Sequence, residues 1–174
     1  MSSLLALLES LGNFLDAGGN VLWLILFASI CLWTLIAERF LFFKLTYPEL
    51  KANWLTQWGS REERHTADAL SIRECIISEA KINMSRTLPV INMLVGLCPL
   101  LGLLGTVTGM IHVFDVMSVT GTSNAKAMAS GVSQATIPTM AGMLIAIGGL
   151  YFSKRIEERV SDETHRLTDL LKYD

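Results

Sequence analysis

Residues 87–114 read TLPVINMLVGLCPLLGLLGTVTGMIHVF, 28 consecutive positions without Asp, Glu, Lys or Arg. Two further runs, 17–37 and 127–153, are equally free of charge over 21 and 27 residues, so all 14 basic and 16 acidic residues lie between or beyond them. About 20 apolar residues suffice to cross the roughly 30 Å of bilayer hydrocarbon. Each run reaches that length. A water-soluble core is assembled from amphipathic pieces instead, and a disordered chain is poor in apolar residues, whereas 51% of this one is apolar. The sequence predicts an all-α integral membrane protein with three transmembrane helices, the second and third long enough to extend into the cytoplasm.

Lys and Arg between the spans set the orientation, because cytoplasmic segments retain positive charge. Segment 1–16 has none, 38–86 has eight, 115–126 has only Lys126, and 154–174 has five. The amino terminus is therefore expected outside and the carboxy terminus inside. With the first basic residue at Arg39, the chain does not open like a cleaved signal peptide. Leu4, Leu5, Leu8, Leu11 and Leu15 instead suggest a periplasmic amphipathic segment over 1–16. Segment 38–86 is expected to turn at Tyr47-Pro48 and Gly59-Ser60. From Thr66 on, Leu70, Ile76, Ile77, Ala80, Met84 and Leu88 form an apolar stripe leading straight into the second span. Residues 115–126 form a periplasmic hairpin. In the helical tail 154–174, Ile156, Val160, Leu167, Leu170 and Leu171 repeat the stripe.

Several chemistries are missing. No G-x-x-x-x-G-K-[ST] loop is present for ATP, no nucleophile elbow, and no basic cluster for nucleic acid; the net charge is −2. Cys31, Cys75 and Cys98 stand singly and read as free thiols. His65 and His165 read as surface residues, and His112 with Asp115 as an interfacial polar pair rather than a metal site. No enzyme, metal or cofactor is expected. The spans also lack the carboxylate that ion-driven machines keep within the membrane. Threonine hydroxyls orient water but do not hold a proton near neutral pH. A proton path here would need a carboxylate from another chain.

The first span is bulky, from Val21 to Trp33, and suits a lipid-facing position. The other two carry four glycines each, which allow close helix approach. At 100° per residue, Thr106 shares a face with Asn92, Pro99, Gly102, Gly109 and Val113, while Thr108 points away. Thr139 shares a face with Val132, Ala135, Gly142, Ala146 and Ser153. Pro99 and Pro138 cannot donate to the carbonyls of Val95 and Gln134, which releases two acceptors within the membrane. Composition alone is met more simply by two packing seams, with each threonine bonded to the carbonyl a turn earlier.

Residues 99–110, PLLGLLGTVTGM, together with 131–143, GVSQATIPTMAGM, resemble the paired signatures of the MotA/TolQ/ExbB proton-channel family. Glu38-Arg39 resembles the family's acidic-basic pair after the first span. The resemblance covers about residues 20–160 and is greatest to compact ExbB proteins. It implies a multi-pass subunit of the bacterial inner membrane, assembled as a pentameric homo-oligomeric ring in the lipid bilayer. The ring would surround the single-span helices of an ExbD-like partner, which would bring the missing Asp. It also implies coupling to protons, and a function in energising a TonB-like protein for uptake of siderophores, haem or similar nutrients. The family's pore-facing threonines fall on Thr106 and Thr139, with Asn92, Gly102, Gly109, Ala135, Gly142 and Ala146 along the same faces, and Glu38, Arg39 and Asp115 as membrane-boundary charges. Some relatives have Glu where Gln134 stands. A TolQ-type stator of the envelope-maintaining Tol system is the nearest alternative, and a passive membrane scaffold is the alternative of a different class.

Overall fold

The computed structural model describes residues 2–60, 67–120 and 125–171. Every regular element among them is helical: α1 (Ser2–Leu41), a π-helical turn (Phe42–Thr46), α2 (Tyr47–Gly59), α3 (Ala67–Ser85), α4 (Leu88–Thr120) and α5 (Ala125–Leu170). Three stretches are long and apolar enough to cross a membrane, within Gly19–Gly59, Asp68–Val119 and Met128–Leu170. This agrees with the three spans expected from charge exclusion. The residues group into two compact units, one of Met1–Trp33 with Met93–Leu150, the other of Thr34–Asn92 with Tyr151–Asp174.

In the first unit α1 is helical on both sides of Gly19, whose φ of 66° and ψ of −167° break the helix. Glycine tolerates that conformation because it has no Cβ. The apolar side chains expected to mark the segment before it, Leu4 to Leu15, fall outside the described residues. Beyond the break, Leu22, Ile25, Ala28 and Leu32 are buried, while Trp23, Leu24, Phe27, Ile30 and Trp33 are exposed. One stripe packs and the bulky remainder is exposed. Helix α4 continues to Thr120 and α5 begins at Ala125, so the expected hairpin is largely helix; residues 121–124, and the side chain of Lys126, fall outside the described residues.

The second unit corrects the reading of segment 38–86. Tyr47-Pro48 is not a turn: the π-helical segment leads directly into α2, and Pro48 falls in the first turn of α2, immediately after the widened π turn. Helix α2 buries Trp54 and Trp58. Helix α3 does not run into the second span either. It ends at Ser85, and α4 starts at Leu88 after a two-residue turn, because Pro89 cannot donate to the Ser85 carbonyl. The buried stripe of α3 is Ala69, Ile76, Ala80 and Met84, with Leu70 exposed. In the tail, Ile156, Val160, Leu167 and Leu171 are buried and Leu170 is exposed.

Two arginines close helix ends in this unit. Arg39 is 2% exposed and donates to the Asn83 carbonyl (2.9 Å), the Met84 carbonyl (3.4 Å) and the Thr87 hydroxyl. Glu38 lies 3.4 Å away and the Phe42 ring 4.9 Å. Arg73 donates to the carbonyls of Leu171 (2.7 Å) and Thr168 (2.9 Å). The last carbonyls of α3 and α5 have no partner within their own helices, and a cation there also complements the helix dipole.

Candidate functional site

Helices α4 and α5 meet along glycines in the first unit. A Cβ added to Gly102 would lie 2.9 Å from Thr139 Cα, one on Gly105 2.5 Å from Pro138 Cβ, one on Gly109 2.6 Å from Ala135 Cβ, and one on Gly142 2.5 Å from the Cys98 carbonyl oxygen. Gly131 meets Val113 in the same way. As α4 advances from 98 to 113, the facing residue falls from 142 to 131. The helices are therefore antiparallel, and their backbones approach closely because these positions lack side chains.

Gly102, Gly109, Ala135 and Gly142 thus serve contact between the two helices, and Ala146 is buried beside Ala28 and Cys98. The threonines sit at the rim. The packed stripe of α4 comprises Val95, Cys98, Gly102, Gly105, Gly109 and Val113; that of α5 comprises Gly131, Ala135, Pro138, Gly142, Ala146 and Gly149. At 100° per residue, Thr106 lies about 55° from the centre of its stripe and Thr139 about 60°, in the same rotational sense. In two antiparallel helices facing each other, the same sense means the same side of the pair. Both threonines are half-buried. Thr136, exposed and not singled out by the sequence, is on that side too; its spacing of three from Thr139 was the available signal.

Gln134, Thr108 and His112 lie on the opposite side, about 80°, 105° and 65° from the stripe centres in the other sense. That side is covered by α1: Val21 approaches Gly105, Leu32 approaches Gly149, and Trp33 approaches Gly148. Here an open cleft of about 450 Å³ is lined by Gly19, Asn20, Val21, Gly105, Thr108, Gly109, His112 and Gln134. Gln134 does not share the side of Thr139.

The hydroxyls have defined partners. Thr139 donates to the Gly102 carbonyl across the seam at 2.8 Å, Thr106 to the Leu103 carbonyl at 2.7 Å, and Thr136 to the Ser133 carbonyl at 2.9 Å. Each hydroxyl oxygen retains lone pairs that accept a hydrogen bond from water or a protonated group. Prolines 99 and 138 leave the Val95 and Gln134 carbonyls without their helical donors. Such a surface can orient water and bind a proton carrier transiently. It cannot itself be the carrier.

The remaining candidates have their own settings. Asn92 belongs to the second unit, where its amide oxygen accepts from Ser153. Glu38 and Arg39 form the helix-end clasp described above. Asp115 is exposed on α4, as is His112. Among the described residues, no three His, Cys, Asp or Glu side chains gather as metal ligands.

The sequence profile of the MotA/TolQ/ExbB proton channel family matches residues 42–169. Over 70 residues (38% of this chain) it is 43% identical to biopolymer transport protein ExbB-like 1 of Synechocystis sp.. Over 114 residues (66% of this chain) it is 31% identical to the biopolymer transport protein ExbB homolog of Methanothermobacter thermautotrophicus. The matched parts amount to 28% and 39% of the length of these relatives. The chain, with three helices long and apolar enough to span a membrane and the glycine-seamed α4–α5 pair, belongs to the MotA/TolQ/ExbB proton channel family.

Proposed function

We propose that the chain is an ExbB-type stator subunit of a motor driven by the proton-motive force. It assembles as a pentameric ring in the bacterial inner membrane, amino terminus in the periplasm and carboxy terminus in the cytoplasm. The observation that carries the reading is the placement of Thr106 and Thr139 on one side of the α4–α5 pair, opposite α1. That side is left for a partner helix, while α1 faces lipid. The spans carry no Asp or Glu, so an ExbD-like single-span protein brings the carboxylate that holds the proton, and no cofactor is used. A charge crossing 100 mV releases about 2.3 kcal/mol, which the complex passes to a TonB-like protein for uptake of siderophore-bound iron, haem or similar nutrients through outer-membrane receptors.

The test is purification from its own membranes with and without substitution. The wild-type chain should bring down a small single-span protein with one membrane Asp. Thr106→Val and Thr139→Val should retain that partner while TonB-dependent uptake is lost. Undiminished uptake in a deletion strain without a second system would refute the reading; detergent sensitivity and cell chaining there, with normal uptake, would point to a TolQ-type stator. A passive scaffold is favoured by one observation, the bonding of both threonine hydroxyls to backbone carbonyls. In that case both valine variants work normally.

A further inference from the structure

Just beyond the last uncharged residue of the third span, α5 carries Arg155, Arg159 and Arg166 within about 40° of one another around the helix. Tyr151 and Phe152 precede them on the same face. The Phe152 ring stacks edge-on against Tyr151 (5.3 Å between centroids) and against Phe40 of α1 (6.2 Å). Together Phe40, Phe43, the three arginines and Asp162 border a pocket of about 250 Å³.

The charges in this pocket cancel in number but not in position. Glu158 is paired with Arg155 at 3.4 Å, and Glu163 with Arg166 at 3.3 Å and with Lys51 at 3.3 Å. Asp162 is exposed and, among the described residues, in no ion pair. Arg159 has no carboxylate partner among the described residues; its guanidinium lies 5.4 Å from the centroid of Phe43. A guanidinium over a ring face is held by cation–π attraction, which uses none of its N–H donors, so they can bind an anion in two-pronged fashion.

The level of the pocket in the membrane identifies the anion. It begins where the uncharged runs of α1 and α5 end, at residues 37 and 153, and so on the headgroup side of the segments whose composition suits the hydrocarbon. Aromatic rings characteristically sit at that boundary, and basic pockets between spanning helices receive anionic headgroups. We propose that this pocket binds the phosphodiester of an anionic membrane lipid, with Arg159 as its principal ligand and Arg155 beside it. The acyl chains run along Phe152 and Tyr151 into the hydrocarbon. The site does not depend on the stator reading.

The full-length protein, in nanodiscs of phosphatidylcholine, is exchanged with increasing fractions of phosphatidylglycerol, and lipid retained per chain is counted by native mass spectrometry. The wild type should retain phosphatidylglycerol over phosphatidylcholine by roughly fivefold or more, the effect of about one engaged arginine. Arg159→Gln should abolish the preference and Arg159→Lys should keep part of it. Lys154→Gln removes the same charge outside the pocket and should keep all of it. If Arg159→Gln does not fold, Arg155→Gln should still reduce the preference. Equal retention of the two lipids by the wild type, or equal effects of Arg159→Gln and Lys154→Gln, would overturn the proposal. Displacement of the lipid by millimolar glycerol phosphate would assign the site to a soluble phosphate instead, and loss of self-association in Arg159→Gln without any lipid preference would assign it to a second copy of the chain.

Discussion

The Thr139 hydroxyl donates a 2.8 Å hydrogen bond to the main-chain oxygen of Gly102. The bond is possible because Gly102 has no Cβ, which would stand 2.9 Å from Thr139 Cα. One contact therefore links the packing of the seam to the orientation of the hydroxyl at its rim.

Filling that contact should separate the helices. Gly102→Val places a side chain against backbone that cannot yield, and overpacking of this kind costs about 1–3 kcal/mol. Gly96→Ala is its control, since a Cβ there meets nothing within 4 Å and alanine is the better helix former by about 0.5–1 kcal/mol. Thermal unfolding in detergent should show a lowered midpoint for Gly102→Val and an unchanged or raised one for Gly96→Ala.

Arg39 should be the most sensitive charged residue for stability. Its guanidinium is buried and satisfies the Asn83 and Met84 carbonyls and the Thr87 hydroxyl. Arg39→Ala leaves these acceptors without donors, at about 1–3 kcal/mol for each buried group left unsatisfied. Arg39→Lys restores the charge but not the fork. Denaturant unfolding should rank wild type above Arg39→Lys above Arg39→Ala.

Glu163 should make the protein acid-sensitive. Burial opposes ionisation of its carboxyl, but the cations of Lys51 and Arg166, each 3.3 Å away, hold the group below its ordinary value. Burial and Glu163 push the Tyr47 phenol up in turn. A carboxyl lowered by folding stabilises the folded state above its unfolded pKa of about 4.3, and that stability is lost as pH falls through the folded value. The melting temperature should drop on acidification below pH 4, and Glu163→Gln should flatten this drop.

Gln134 should matter little to proton movement, because it opens on the cleft beside α1 and not on the side of Thr139. Gln134→Ala should leave proton flux within about twofold, a change under about 0.5 kcal/mol in barrier height. Flux measurements on the reconstituted complex decide this.

The three spans were legible because hydrocarbon excludes charge, and 87–114, the longest uncharged run, shows that without any partner. The pairing of glycine faces was legible as composition but not as geometry. A helical wheel places Thr106 and Gly102 on one face, yet only the second helix reveals that Gly102 is at the centre of contact and Thr106 at its edge. The separation of Gln134 from Thr139 is by contrast legible on the wheel, where five residues at 100° each set them about 140° apart. Two prolines carry local signals of their own: Pro89 marks the end of α3, and Pro48 is as compatible with a first helical turn as with a loop. The capping by Arg39 could not be read, since Asn83 and Met84 contribute backbone atoms that any residue would supply.

The decisive measurement is proton flux into liposomes containing the chain with its co-purified single-span partner, comparing Thr139→Val and Thr106→Val with Thr108→Val. All three remove a hydroxyl, but only the first two lie on the side assigned to the partner helix. Flux should fall at least tenfold in Thr106→Val and Thr139→Val, a barrier increase of about 1.4 kcal/mol, and stay near wild type in Thr108→Val, with the complex intact throughout. Unchanged flux in both rim variants, or an equal loss in all three, would show that the Thr106–Thr139 side is not the proton path.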